Sequence, residues 1–282
     1  MKNTGSRTAW ALGAAVLTGG MTTGTAQAQV ETPRGEDGHP ILSGLLVGGG
    51  ARLPTSELED AATVFRGRGG TYVGLEADGA IRRTSNDNHP LYKPEYWDQI
   101  THNDYFGNWD DPVSFCFPLG TPRSGAPHQI VEVKGQPAVI LVYQAGFNGY
   151  GGSYRGWDDF RFIWTDGREH DPGLVARETL KGASVGHWEG DTLVIESIGF
   201  TDDTWLHKNG WIHGYNMKVT ERLTRVGNAL VWEATVEDPE YFQEPWVMTP
   251  MVAQYNTNPD AYIPEGLPCL VREPYASHVR SG

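Results

Sequence analysis

The amino-acid sequence predicts an all-β fold, either an antiparallel β-barrel of the calycin or lipocalin type or a β-sandwich, with long loops and one short N-terminal helix. Apolar segments alternate with short turns that contain Gly, Asp or Asn, as in consecutive hairpins. Helical periodicity is almost absent. The 282 residues include 36 glycines, 10 tryptophans, 12 tyrosines and 9 phenylalanines, which suit tight turns and an aromatic-rich barrel interior.

The first 28 residues have the features of an export signal. Lys2 and Arg7 give a positively charged start, residues 9–18 form a short apolar core, and Ala26-Gln27-Ala28 is a small-x-small cleavage site. The apolar core is shorter than the ~20 residues that a membrane-spanning helix needs. We therefore predict that residues 1–28 are a signal peptide and that the protein is periplasmic or secreted, without a membrane span.

Residues 29–282 are predicted to form a single β-rich domain. An irregular lead-in at 29–53 is rich in Gly and Pro, and Ser56-Glu57-Leu58-Glu59 then has the spacing of a capping box at the start of a short helix. Hairpins follow along the rest of the chain. The predicted strand pairs are 71–75 with 80–83, 129–133 with 138–143, 184–188 with 192–198, and 217–224 with 230–236, and the remaining strands are 160–164, before the turn Thr165-Asp166-Gly167-Arg168, and 246–255.

Two stretches are predicted to be long loops. Residues 86–112 are rich in Asp, His and aromatic residues, and residues 146–157 alternate glycine with large rings, among them Tyr150, Tyr154 and Trp157. Long loops in compact domains often bind ligands or close over a site. These three aromatic residues are therefore candidates for substrate binding, with a surface loop whose rings pack downward as the alternative.

The charge of the chain argues against two classes of partner. Acidic residues outnumber basic ones by 35 to 22, which gives a net charge of −13, and no basic cluster is present. Nucleic-acid binding depends largely on Lys and Arg contacts to phosphates, and an anionic membrane surface attracts basic patches. We expect neither partner, and the sequence leaves the oligomeric state open.

The two cysteines, Cys116 and Cys269, lie in proline-containing segments. In an oxidising compartment they are expected to form one disulfide that ties the C-terminal region to the middle of the chain. Two free thiols, or a cysteine nucleophile, are the alternatives.

Three histidines are candidates for acid–base chemistry because histidine titrates near neutral pH. His187, His207 and His213 lie near strand ends or between strands, and Asp203 is a carboxylate that could orient one of them. His213 is the leading candidate, since it follows an aromatic segment containing Trp205, itself a candidate for substrate binding, and precedes a strand. The alternative is that these histidines only pair with backbone groups.

A charged residue is also predicted inside the barrel. Glu221 and Arg222 are neighbours on one strand, so their side chains point to opposite faces and one of them faces inward. A buried charge needs a partner, and Arg161 on a neighbouring hairpin could pair with Glu221. The pair would be either a structural ion pair or a substrate clamp. Tyr143 and Trp232 are interpreted as core residues.

Several other kinds of site are not expected. Gly182-Ala183-Ser184-Val185-Gly186 fits the G-x-S-x-G pattern of serine hydrolases, but that serine requires a strand–turn–helix, and here a second strand follows. The carboxylates near His102 lack the spacing of a zinc or calcium site. Phosphate-binding, Rossmann and haem motifs are absent from the sequence. We therefore expect neither a metal nor an organic cofactor.

Several sequence blocks resemble one family. They are Asp37-Gly38-His39-Pro40-Ile41-Leu42-Ser43-Gly44, Cys116-Phe117-Pro118-Leu119-Gly120-Thr121-Pro122-Arg123, Trp188-Glu189-Gly190-Asp191-Thr192-Leu193-Val194 and Thr220-Glu221-Arg222. Together they resemble a largely uncharacterised family of exported bacterial β-rich proteins. The resemblance implies export and a β-rich fold, and it implies no settled activity.

The leading functional hypothesis is an exported, cofactor-independent enzyme of the lyase or isomerase type. It would act on a small, mostly apolar, aromatic molecule through histidine and carboxylate acid–base chemistry. Hydrolysis is less favoured because no convincing nucleophile is present. The alternatives are a non-catalytic barrel that binds a small apolar ligand and a structural protein of the cell envelope.

Overall fold

The computed structural model describes residues 30–51, 88–144 and 158–263. The predicted signal peptide, the helix that starts at Ser56, the strand pair 71–83, the loop 146–157 and Cys269 lie outside these ranges, so they stay predictions.

The described residues form ten β-strands and two α-helices. The helices are α1 (Trp97–Asp110) and α2 (Pro172–Val175), and short 3-10 turns lie at Pro94–Tyr96 and Pro112–Phe115. The strands are β1 (Gly44–Ala51), β2 (Gln129–Glu132), β3 (Ala138–Gln144), β4 (Asp158–Trp164), β5 (Ala183–Glu189), β6 (Thr192–Ile198), β7 (Lys218–Val226), β8 (Ala229–Glu237), β9 (Trp246–Val247) and β10 (Met251–Tyr255).

The strands close into a barrel, which confirms the predicted barrel over the sandwich alternative. Neighbours pair in the order β10-β1-β2-β3-β4-β5-β6-β7-β8-β9, and β10 also pairs with β8. The closed ring therefore contains nine strands, and β9 lies beside β8 next to β10. Closure removes the exposed strand edges that an open sheet would present.

Three predicted hairpins are present, at β2–β3, β5–β6 and β7–β8. Each has apolar residues on both strands and a short connection between them. Gly190 and Gly227 occupy the turns of the second and third hairpins with φ of 60° and 56°, a region that glycine adopts without a steric penalty.

The barrel is mixed rather than antiparallel, which corrects the prediction. The turn at Asp166-Gly167 does not lead into a hairpin partner of β4. Residues 165–182 instead carry the chain back along the barrel, so β5 runs parallel to β4 and pairs with it only at Trp164↔Val185. A local turn signal cannot distinguish the two outcomes, because the direction of the next strand depends on the whole connection.

Two other predictions are corrected. The single last strand at 246–255 is divided into β9 and β10, which both lie along the same edge of β8. Pro250 lies at the interruption, and proline has no backbone N–H to donate to a ladder. The predicted loop at 86–112 contains α1, whose sequence shows no apolar stripe that would have indicated a helix.

Alternation along the strands produces the apolar interior. On β7 and β8, Glu221, Leu223, Trp232 and Ala234 are all buried, and their sequence neighbours Thr220, Arg222, Glu233 and Thr235 are less so. Side chains of this interior cluster come from both halves of the ring. Its members include Leu141, Tyr143, Ile163, Leu193, Ile195, Leu223, Leu230, Trp232 and Tyr255.

A second apolar cluster packs against one end of the barrel. This end, the long-loop end, carries the connections 199–217 between β6 and β7 and 238–245 between β8 and β9. The opposite, hairpin end carries the turns at 133–137, 190–191 and 227–228. The main members of the second cluster are Tyr92, Ile100, Phe200, Trp205, Leu206, Trp211, Met217, Phe242 and Trp246. Among the described helices, none is long and apolar enough to cross a bilayer.

Candidate functional site

A buried arginine lies at the centre of a polar group inside the barrel. Arg161 on β4 is only 6% exposed. Its Nη2 donates hydrogen bonds to Ser184 Oγ at 2.9 Å and to Ser197 Oγ at 2.9 Å. Its Nη1 donates to the hydroxyl of Tyr143 at 3.2 Å. Four strands, β3 to β6, therefore supply this centre.

Glu221 on β7 completes the polar centre. Its Oε2 lies 2.5 Å from Arg161 Nη1, which confirms the predicted contact between these two side chains. That contact is an ion pair whose angles fall outside hydrogen-bond geometry, since Oε2 has no hydrogen-bond partner. The other carboxylate oxygen, Oε1, accepts a hydrogen bond from Trp232 Nε1 at 2.9 Å. The negative charge is thus fixed beside the arginine by a neighbouring core residue.

The arginine retains one unused donor. Arg161 Nε is buried and has no hydrogen-bond partner. An unpaired buried donor is unfavourable and rare, so this group calls for an explanation such as an absent water or ligand. Burial lowers the pKa of Arg161, but Glu221 and Tyr143 raise it by more, and the pKa lies above its usual value. The side chain therefore stays charged.

Beside this polar centre, the hydrogen-bonded ladder of the barrel is almost interrupted between β4 and β5. β4 and β5 share a single residue pair at Trp164↔Val185, toward the hairpin end, so they have no ladder on the side of the long-loop end. An ion pair between Lys181 and Asp159 spans the gap there, and Lys181 Nζ also donates to Phe160 O at 2.8 Å. Ser184 is only partly buried although it contacts Arg161. The polar centre is thus closest to solvent at this gap.

The leading catalytic candidate, His213, is engaged on both ring nitrogens. It is 1% exposed, with Nε2 2.9 Å from Thr204 Oγ1 and Nδ1 3.3 Å from Gly214 O. A carbonyl only accepts, so Nδ1 carries the hydrogen and Nε2 accepts from the threonine hydroxyl. Burial lowers the pKa of His213, which favours this neutral form. Asp238 contacts Gly214 N at 2.7 Å rather than the imidazole. These contacts are those of a packed, structural histidine.

His207 lies in a second polar group at the long-loop end. Its ring stacks on Trp211 with centroids 4.5 Å apart, and its Nδ1 accepts from Asn209 N at 3.3 Å. Burial and then the positive charge of Arg123 lower the pKa of His207 to about 4. Arg123 itself is held by Asp111 through two hydrogen bonds, of 2.8 and 2.5 Å.

The remaining candidates do not join either group. His187 is on the outer face of β5 near the hairpin end, where its Nε2 lies 3.2 Å from Glu189 Oε1. Asp203 is exposed, and Trp205 is packed in the second apolar cluster. Tyr150, Tyr154 and Trp157 lie outside the described residues, and the disulfide of Cys116 with Cys269 stays a prediction for the same reason.

Three members of the centre escaped sequence reasoning as functional residues. The sequence indicates a core role for Tyr143 and suggests Ser184 only as a nucleophile, and no sequence motif includes Ser197. Ser184 and Ser197 are directly opposite in the β5–β6 hairpin, and their hydroxyls are 2.8 Å apart. Two facing polar residues at inward positions of a predicted hairpin are a signal that could have identified them.

The described residues contain no cluster of three or more His, Cys, Asp or Glu side chains arranged to hold a metal ion. Known families, curated proteins and solved structures provide no match for this chain. The family resemblance of the sequence blocks therefore stays a prediction, and function has to be argued from the site itself.

Proposed function

We propose that this protein is a small-molecule-binding barrel whose ligand is held at Arg161. The observation that carries the proposal is the unpaired Arg161 Nε, a buried donor at the centre of a largely apolar interior. A mostly apolar site with a few convergent polar groups is the usual composition of a small-molecule site. The rings of Tyr143, Trp188, Trp232 and Tyr255 in the same cluster suit a flat, apolar ligand body.

Binding is favoured over acid–base turnover by the state of the groups at the centre. Burial raises the pKa of Tyr143 well above its usual value, and the pKa of Arg161 is also raised. Neither group is therefore suited to exchange protons near neutral pH. His213, the predicted acid or base, donates to Gly214 O and accepts from Thr204. The lyase or isomerase hypothesis can still be tested by determining whether bound compounds are chemically changed.

Export to the periplasm or medium is part of the proposal, supported by the signal-like first 28 residues. An exported binding protein would meet small apolar molecules before they reach the inner membrane.

The test is equilibrium dialysis of the purified protein against a pool of small aromatic compounds, with retained and free fractions analysed by LC–MS. The site variant is Arg161→Met with Glu221→Leu, which removes both charges together. The matched control is Arg123→Met with Asp111→Leu, which removes a largely buried arginine–carboxylate pair at the long-loop end. Circular dichroism confirms that both variants fold.

We expect wild type and the control variant to retain the same compounds unchanged, and the site variant to lose them. Retention of nothing by the folded wild-type protein would overturn the binding function. Appearance of products with wild type, absent from the His213→Ala variant, would return the assignment to acid–base catalysis.

A further inference from the structure

We infer that the ligand of this barrel is an uncharged molecule that presents a carbonyl oxygen to Arg161, rather than a carboxylate or an amine. This inference rests on the proposed binding function and names the chemical class of the ligand. Two properties of the polar centre carry it: a surplus of hydrogen-bond donors and a balance of charge.

The donor surplus follows from counting hydrogens at the centre. Arg161 Nε–H has no acceptor, and Glu221 Oε2, which is in ionic contact with Arg161 Nη1, is the one acceptor of the centre that lacks a hydrogen bond. The Tyr143 hydroxyl accepts from Arg161 Nη1, and within the described chain its own hydrogen has no acceptor. Ser184 and Ser197 both accept from Nη2, and they share one hydrogen between them, so one of the two hydroxyls has a hydrogen to spare.

A donor-rich centre selects a ligand group that only accepts. The Arg161 hydrogen without an acceptor is on Nε, which faces away from the Nη1 that contacts the Tyr143 hydroxyl, so a ligand atom placed at Nε needs only to accept one hydrogen bond from Arg161. A ketone, ester or lactone carbonyl has this property and carries no hydrogen that would need an acceptor. An alcohol or amine would bring further donors to a centre that already has too many.

The charge balance argues against an anionic ligand. Arg161 is neutralised by Glu221 at 2.5 Å, and at the gap in the wall Lys181 is neutralised by Asp159. These two pairs leave no net charge, and a carboxylate placed on Arg161 would be buried close to Glu221. Like charges in a buried site repel strongly, and a buried charge without a partner is unfavourable. An ammonium group would meet the arginine instead.

The experiment compares three probes of nearly equal shape by isothermal titration calorimetry at neutral pH. 2-Acetylnaphthalene offers a neutral carbonyl, 2-naphthoate offers the same acceptor with a negative charge, and 2-ethylnaphthalene offers no acceptor. A hydrogen bond to a charged donor contributes on the order of 1.5–3 kcal/mol, so we expect the ketone to bind about tenfold or more tighter than the ethyl compound. We also expect it to bind at least tenfold tighter than the carboxylate.

Two variants assign the selectivity to the named groups. Glu221→Gln keeps the size and the acceptor for Trp232 but leaves Arg161 with an unbalanced positive charge, so the preference should shift toward 2-naphthoate by about tenfold or more, the size of a charged hydrogen bond. Arg161→Met with Glu221→Leu should remove the preference for the ketone over the ethyl compound, because it removes the Nε donor, and binding of the ketone should weaken about tenfold or more. Arg123→Met with Asp111→Leu is again the matched control, and it should keep the preference.

The outcomes test the carbonyl assignment separately from the proposed binding function. If the carboxylate binds wild type as tightly as the ketone, or if Arg161→Met with Glu221→Leu keeps the preference for the ketone, the carbonyl assignment is wrong. It is also wrong if none of the three probes binds although dialysis retains other compounds through Arg161. Failure of the dialysis experiment itself would remove the binding function and the inference with it.

Discussion

Within the described residues, two arginine–carboxylate pairs are largely buried, and they are built in different ways. At the long-loop end, Arg123 meets both oxygens of Asp111 in a forked arrangement, and the same carboxylate accepts from Val113 N to cap a 3-10 turn. In the barrel, Arg161 contacts one oxygen of Glu221 and directs its other groups to hydroxyls, with Nε unpaired.

The difference shows how a structural ion pair can be distinguished from a binding centre. In a forked pair, two nitrogens of the arginine donate to the two oxygens of one carboxylate, which is the strong and specific arrangement for arginine. In the barrel pair, the Arg161 Nε donor has no partner, and an unpaired buried donor destabilises the folded protein. A ligand that accepts a hydrogen bond from this donor would explain why it is unpaired. Burial alone does not distinguish a structural ion pair from a binding centre, because both pairs are buried.

The largest expected effect is the loss of stability in Glu221→Leu. It leaves the Arg161 charge without its partner in the barrel, and breaking a buried pair in this way costs about 3–5 kcal/mol. The free energy of unfolding from urea titration followed by tryptophan fluorescence measures it. Asp111→Leu should cost less, because the Arg123 side chain is 10% exposed against 4% for Arg161 and can reach water more easily.

The double variant Arg161→Met with Glu221→Leu sharpens this result. Replacing a whole buried pair by apolar residues is often neutral or stabilising, so most of the lost stability should return while ligand retention does not. The pair at the long-loop end should recover less, since its double variant also loses the cap on Val113 N. Equal recovery in both pairs would mean that the two are built for the same purpose.

We expect the loss of folding stability at acidic pH to arise at the long-loop end, where His207 lies, rather than at the polar centre of the barrel. The folded state lowers the pKa of His207 to about 4, against the usual 6.5, so the unfolded chain binds the proton first as the pH falls. Stability is therefore present above pH 6.5 and decreases between pH 6.5 and pH 4. Between pH 7 and pH 5 the loss from this residue is about 2 kcal/mol.

His207→Gln tests this contribution. Urea titrations at the two pH values should show a smaller difference for the variant than for wild type. His213 contributes with the same sign, since burial also lowers its pKa, so part of the acid sensitivity should remain. If the variant lost as much stability as wild type, the neutral His207 beside Arg123 would not be the cause.

Local sequence signals predicted the hairpins, while features that depend on distant packing were predicted less well. The β5–β6 and β7–β8 hairpins follow from apolar alternation around Gly190 and Gly227. The parallel step from β4 to β5 depends on how residues 165–182 cross the barrel, which no local pattern encodes. Helix α1 has no apolar stripe, so its sequence gave no indication of it.

The candidate site likewise contains features that the sequence predicts and features that depend on the folded structure. The contact of Arg161 with Glu221 was predictable, because alternation places one charged residue inside and a buried charge needs a partner. The histidine was chosen for its chemistry alone, and the structure surrounds His213 with Thr204 and Gly214 instead of a carboxylate. The role of Ser197 depended on strand register, which fixes its hydroxyl opposite Ser184.

The smallest expected effect, in Ser184→Ala, decides whether the hydroxyls or the carboxylate hold Arg161 in place. Ser197 Oγ would still accept from Nη2, so the loss of stability should be about 1 kcal/mol, the net contribution of an ordinary hydrogen bond. The ion pair with Glu221 would keep the side chain in position, and the affinity for 2-acetylnaphthalene should change less than threefold. A loss of affinity as large as that in the Arg161 variant would instead assign Ser184 to the ligand directly, because this residue is the partly exposed hydroxyl at the gap between β4 and β5.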